Sequence, residues 1–133
     1  MAEVQLEYAR RYGGAGDSAP LDPAELCEPL GTFVMGYVEG DPAAMGGWRR
    51  RGADAEIKRM YVRPPYQRRG LARAVLACLE RSASAARVSR LVLETGLEQP
   101  EAIALYRSSG YSDIEPFGFY ADSSLSVHLG KSL

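Results

Sequence analysis

Histidine occurs once in these 133 residues, cysteine twice and lysine twice. A lone His128, with no cysteine or aspartate at ligand spacing, gives no metal site, and a packed or exposed strand histidine is the expected role. Cys27 and Cys78 lie too far apart for a ligand pair, and two cysteines do not make a disulfide framework, so both read as structural thiols. No apolar run approaches the length of a membrane span, and the opening "MAEVQLEYARRYGG" lacks the apolar core of a signal peptide. A soluble, cytoplasmic protein is expected. Neither sign of charge dominates: 16 basic and 17 acidic side chains leave a net charge of −1, with no whole-protein attraction for nucleic acid or an anionic membrane. Trp48 and the eight tyrosines do not interleave with basic residues as a base-stacking platform would. Neither nucleic acid nor metal is an expected partner.

Arginine is what the basic side chains consist of, 14 of the 16. An alanine-rich chain can owe this to genomic base composition. Arginine also grips phosphate in two-pronged fashion, and only position separates the two explanations.

The length suits one domain, 1–133. Residues 3–12 alternate like a strand at Val4, Leu6 and Tyr8, yet Val4, Tyr8 and Tyr12 keep helical spacing; helix is the preferred reading. "GAGDSAPLDPAELCEPLG" is a connecting stretch, so 1–30 reads as a reduced N-terminal helix and loop. "TFVMGYVE", "AAMGGWRR" and "AEIKRMYV" follow as three strands of an antiparallel meander. From Gly70 the period changes, and Leu71, Val75, Cys78, Leu79, Ser82 and Ala86 share one helical face. "RLVLET" is a short buried strand, Pro100 opens a second helix that Gly110 ends, and "YSDIE" and "LSVHLGK" close the chain as strands. The order predicts a mixed α/β sheet. The triplet Arg49-Arg50-Arg51 falls at a predicted hairpin turn, where a solvated turn outweighs a phosphate contact.

The stretch "RMYVRPPYQRRGLARAVLACLE" breaks off a strand at two prolines and opens a helix behind two arginines and a glycine. Unpaired N–H groups of a first helical turn converge at such a point, and the helix dipole adds positive charge. Gly70 and Ala72 let a ligand approach the backbone, while Arg68, Arg69 and Arg73 supply charge-assisted bonds. Gly-Lys-Ser/Thr is absent, which excludes a Walker-type loop, and no G-x-G-x-x-G follows the first strand. What remains is Gln67-Arg68-Arg69-Gly70-Leu71-Ala72, of the form Q/R-x-x-G-x-G/A.

That segment resembles the acetyl-CoA signature of the Gcn5-related N-acetyltransferases (GNAT). The likeness extends over residues 31–130, taking in "AEIKRMYV", "LVLETG" and "AIALYRSSGY" in the family's order. The resemblance implies the GNAT-type acyl-CoA N-acyltransferase fold: a mostly antiparallel sheet splayed at the cofactor cleft, here with a shortened N-terminal region. It implies acetyl-CoA as co-substrate, bound by the main chain of Met60, Tyr61 and Val62 and by the loop Gln67, Arg68, Arg69, Gly70, Leu71, Ala72 and Arg73. One freed N–H of that strand would face the thioester carbonyl. It also implies Glu56 as general base, with Glu94 as an alternative, and Tyr106 as the acid serving the leaving thiolate. Pairing of Glu56 with Lys58 or Arg59 on an exposed strand face, and simple packing of Tyr106 beside Ile103, are the competing readings.

Family members begin with a strand and two helices; here the first strand and first helix read as missing or much reduced. The implied activity is acetyl transfer to a primary amine, of a small molecule or a peptide, by direct attack in a ternary complex. No cysteine matches a covalent carrier. A non-catalytic acetyl-CoA-binding module, or a subunit that needs a partner, is the alternative, and a shortened sheet edge is compatible with a homodimer.

Overall fold

Two-residue turns and alternating side chains build most of this fold. A computed structural model describes residues 4–8, 23–118 and 120–133. Strand β1 (Val4–Tyr8) pairs antiparallel with β2 (Gly31–Val38), from Val4 opposite Val38 to Tyr8 opposite Val34. Glu39 and Gly40 both take positive φ, 51° and 85°, the geometry a tight hairpin demands, and β3 (Asp41–Arg51) returns beside β2. A second turn at Gly52, φ 62°, leads into β4 (Asp54–Val62).

Helix α1 (Leu71–Ala85) then crosses to β5 (Arg90–Gly96), which runs parallel to β4. Helix α2 (Pro100–Ser108), the two-residue β6 (Ser112–Asp113) and β7 (Ser126–Ser132) complete the order. Across the sheet the strands stand β1-β2-β3-β4-β5-β7-β6, and β4–β5 is its parallel pair. The predicted mixed sheet and two helices are therefore present.

The N-terminal reading is corrected. Val4–Tyr8 is a strand and not part of a helix, so the first strand is in place. The alternation of Val4, Leu6 and Tyr8 was the stronger signal, because a neighbouring strand was available to pair with it. The rest of the predicted helix and loop, residues 1–3 and 9–22, lies outside the described residues; Pro23–Leu26 forms a 3-10 turn.

The main core lies between α1 and one face of the sheet. Leu71, Val75, Leu76, Cys78, Leu79 and Ala83 meet Val34, Trp48, Ile57, Leu91, Leu93 and Leu129 there. Trp48 Nε1 donates to Ser82 Oγ at 2.7 Å, which satisfies the indole where β3 runs under the helix. Gly46 is needed at that crossing, since a Cβ would come within 3.0 Å of Val75 Cγ1. Strand alternation sends Phe33, Met35 and Met45 to the opposite face, where Leu26 of the 3-10 turn covers part of them.

Among the described residues, no helix is long and apolar enough to cross a membrane. Leu79 is completely buried at the centre of the helix–sheet contact. Leu79→Ala is expected to cost about 2–5 kcal/mol of unfolding free energy, read as a lowered denaturant midpoint. A loss below about 0.5 kcal/mol, the range of an exposed site, would contradict this packing.

Candidate active site

The site exists because two strands part. β4 and β5 pair at Asp54–Arg90, Ala55–Leu91 and Glu56–Val92. Beyond that point β4 follows β3 as far as Val62, while β5 follows β7 as far as Gly96. A cleft of about 780 Å³ opens in the gap, with Glu56–Tyr61 on one wall and Leu93–Gly96 on the other. Along this stretch β4 has no strand on its β5 side, so every second backbone N–H and C=O faces the cleft.

A bulge deepens the opening. Gly47 pairs with Lys58 but Met45 pairs with Tyr61, so Arg59 and Met60 together oppose Gly46. Arg59 takes φ 63° to accommodate the extra residue. The bulge shifts the phase of the strand: Ala55 and Ile57 face the core before it, and Met60 and Val62 pack against the core after it. Tyr61 is thereby turned outward, 50% exposed at the cleft wall.

At the end of β4, Arg63 Nη1 donates to Pro42 O at 2.6 Å, and Gln67 Nε2 donates to Val62 O at 3.2 Å. These bonds hold the 3-10 turn Pro64–Tyr66 against the sheet. Arg68 and Gly70 both have positive φ, 65° and 77°, and Gly70 caps α1 with no side-chain hydrogen bond. Left-handed residues ahead of an uncapped helix turn successive N–H groups toward one point. No atom lies within 4 Å of where a Gly70 Cβ would stand, so that point is open.

The loop arginines do different things. Arg69 stacks over the Tyr66 ring at 5.5 Å. Arg68 is 3.9 Å from Glu101 with both side chains in solvent, a pair of little energetic weight. Arg73 donates to Ser108 Oγ at 3.0 Å and Ser109 Oγ at 3.1 Å, tying the start of α1 to the end of α2. Leu71 turns into the core, leaving its main chain at the loop.

The cleft passes through the sheet, and side chains reach it from both faces. Tyr106 comes from the helical side: it is buried in the main core, lines the cleft, and sets its ring edge-on to Tyr111 with centroids 5.8 Å apart. Tyr111 is anchored in turn by its hydroxyl, which donates to Glu80 Oε2 at 2.9 Å, and Lys131 donates to the same oxygen at 3.2 Å.

From the opposite face come Glu56, Lys58 and Glu94. Glu56 is 5% exposed, not on an exposed strand face as one reading had it. Its Oε1 accepts from Arg49 Nε at 3.2 Å and Nη2 at 3.1 Å, and Lys58 Nζ stands 3.5 Å from Oε2. Arg49 also donates to Glu25 Oε2 at 2.6 Å.

The reading of Arg49–Arg51 as a solvated turn is thus corrected for Arg49, while Arg50 and Arg51 are exposed at the end of β3. β3 runs on through Arg51, and alternation from the buried Trp48 places Arg49 under the cleft. Arg50 bonds Pro29 O and Ala86 O, and Arg51 lies over the Phe117 ring. His128 is buried in β7, where its Nδ1 accepts from Phe117 N at 3.5 Å. Among the described residues, no group of three or more His, Cys, Asp or Glu is placed to hold a metal ion. Arg49 and the Arg59 bulge are what sequence reading missed. The signal for the bulge is the slip in "AEIKRMYV", where apolar positions run 55, 57, then 60, 62.

Burial raises the Tyr106 phenol to about 12, with no other cause contributing. Tyr111 is raised as well, first by burial and then by its bond to Glu80. Folded values above the unfolded ones mean the unfolded chain releases these protons first. Their contribution to stability is complete below about pH 10 and is lost as pH rises from there. Melting temperature should accordingly fall above about pH 10, and Tyr106→Phe should flatten part of that slope. An identical slope in the variant would contradict a buried phenol at 106.

The profile of the Acetyltransferase (GNAT) family matches residues 1–111. The chain is 37% identical over 139 aligned positions to an IAA acetyltransferase of Azospirillum brasilense, covering 99% of this chain and 91% of that protein. Its fold is similar to that of an acyl-CoA N-acyltransferase from Klebsiella pneumoniae, with TM-score 0.78, 31% identity, and coverage of 85% and 79% of the two chains. A GNAT acetyltransferase from Elizabethkingia anophelis with acetyl-CoA bound matches at TM-score 0.72 and 17% identity over 98% of each chain. With most of its length matched by the family and its sheet parted as the GNAT fold requires, this chain belongs to the GNAT family of acetyltransferases.

Proposed function

We propose that the protein transfers an acetyl group from acetyl-CoA to a primary amine by direct attack in a ternary complex. The observation that carries this reading is the buried Tyr106 phenol at a gap between β4 and β5 that is open from both faces of the sheet. The residues present fit the co-substrate. The Arg68–Arg73 backbone offers convergent amides for a pyrophosphate, and the β4 edge at Met60, Tyr61 and Val62 offers unpaired main chain to an amide-bearing arm. Acetyl-CoA supplies the activated acetyl thioester and a sulfur leaving group.

Tyr106 keeps its proton at neutral pH, because burial holds it far above that range, and it can donate that proton to a departing thiolate. Its hydroxyl makes no hydrogen bond to another described residue, which leaves it available for this. Of the three carboxylates lining the cleft, Glu56 and Glu94 stand on the two strands that part and can receive the amine's proton. Glu56 already accepts from Arg49 and stands against Lys58, so a proton must compete with both. Glu94 has no ion pair among the described residues and lies on the same face of the sheet, which favours it as the base. Glu56 then acts as a positioning residue that fixes β4 to β3 beneath the cleft. Cys78 is in the core and Cys27 does not line the cleft, in keeping with transfer that has no acyl-enzyme.

The engagement of both Glu56 oxygens is the observation that favours a second reading, an acetyl-CoA-binding module without turnover. Coenzyme A release with a panel of amines separates the two. Tyr106→Phe should lower kcat about 100-fold or more with CoA affinity unchanged. Glu94→Gln should cost more turnover than Glu56→Gln once each variant is corrected for its folded fraction. Release from the Phe variant at the wild-type rate would refute the acid role, and no release with any amine would favour the binding module.

A further inference from the structure

Met45 and Tyr61 are cross-strand partners on β3 and β4, and they line the main cleft. They also form walls of a second hollow, about 220 Å³, completed by Met35, Pro42, Ala43 and Ala44 with Arg63 at its edge. Apart from Arg63 and the Tyr61 hydroxyl, the wall side chains are apolar. The hollow therefore continues the acceptor side of the cleft, on the face that carries Glu56 and Glu94. Large apolar groups flank the mouth: Tyr61 is 50% exposed and Leu125, at the cleft's other rim, 65%. The concave apolar surface that Tyr61, Met35 and Met45 present is of the kind that holds an apolar ligand group.

Lys58 and Arg59 line the cleft beside Glu56, Glu94 and Glu98, and the carboxylates differ in how they are paired. Glu56 is matched by Arg49 and Lys58, whereas Glu94 and Glu98 line the cleft with no ion pair among the described residues.

We propose that the acceptor is a primary amine carried on an aromatic or branched apolar body. Glu94 and Glu98 draw the ammonium into the gap, and the body lies over Tyr61 into the Met35–Met45 hollow. The inference rests on the acetyl-transfer reading and deepens it. Size is suitable, since an apolar cavity of roughly 150 Å³ holds benzene. A polyamine would leave the hollow unfilled and bring its distal cation toward Arg63. A peptide would bury backbone N–H and C=O groups against walls whose polar side-chain atoms are those of Tyr61 and Arg63, too few to pair them. Each methylene buried there is worth about fourfold in affinity.

The test compares butylamine, 2-phenylethylamine, tryptamine, spermidine and a lysine peptide as acceptors, with coenzyme A release as one readout. Calorimetric titration of 2-phenylethylamine into the cofactor-free protein is the other. Met35→Trp fills the hollow from a wall outside the main cleft, and Met35→Ala enlarges it. The aromatic amines should exceed butylamine in kcat/KM by at least about tenfold. Met35→Trp should abolish that advantage and the calorimetric binding while leaving butylamine turnover unchanged, and Met35→Ala should shift preference toward tryptamine. Turnover greatest on spermidine or the lysine peptide, unaffected by either variant, would overturn the inference and leave acetyl transfer standing. Equal losses on every amine with a lowered melting temperature would overturn it too. Absence of release with any amine would be a failure of the transfer reading instead. Calorimetry would then still decide the hollow: binding lost in Met35→Trp supports it, and no binding overturns it.

Discussion

Everything at the candidate site follows from three pairs of residues. β4 and β5 are joined at Asp54–Arg90, Ala55–Leu91 and Glu56–Val92, and then each strand turns to its other neighbour. A parallel pair that ran the full length of both strands would close the sheet and leave no cleft. The parting is stable because neither strand loses its remaining ladder, β4 keeping β3 and β5 keeping β7. It exposes one edge of β4, and exposed edge groups need partners. A ligand with amide groups of its own is a fitting partner for such an edge.

Because the gap runs through the sheet, its two faces are free to serve different purposes. The helical face brings the open amides at Gly70 and the Tyr106 phenol, fixed through Tyr111 to Glu80 on α1. The opposite face brings carboxylates and apolar side chains. On that face the line Glu25–Arg49–Glu56–Lys58 leads to the cleft, which Glu56 and Lys58 line. A buried carboxylate without such partners would be costly to hold ionised. The cluster also joins the 3-10 turn ahead of β2 to β3 and β4.

Much of this was legible in the sequence, for identifiable reasons. The meander, both helices and the closing strands each carried a periodicity that their packing later enforced. The loop at Gly70 stood out because arginines and a glycine sit just ahead of a helical pattern, in a spacing that resembles the acetyl-CoA signature. Val4–Tyr8 was misread because two short periodicities overlapped there, and only the presence of β2 as a pairing partner decides between them. Arg49 was misread because the triplet was placed at a hairpin turn, whereas β3 runs on through Arg51 and alternation from Trp48 turns Arg49 toward Glu56. The bulge at Arg59 left a phase slip that can be read without any structure. The apolar hollow left no comparable trace, since Met35, Met45 and Tyr61 come together only through the register of three strands.

The central claim is that coenzyme A lies along the opened edge of β4 with its pyrophosphate at the start of α1. An amide-resolved nitrogen–proton correlation spectrum, recorded as coenzyme A is titrated into the 15N-labelled protein, tests it most directly. The amides of Arg69–Arg73 and of Met60–Val62 are expected to move first and farthest, with the β2–β3 hairpin at Glu39 and Gly40 unmoved. Shifts confined to surfaces away from the β4–β5 gap, or saturation without any movement at Gly70, would contradict it.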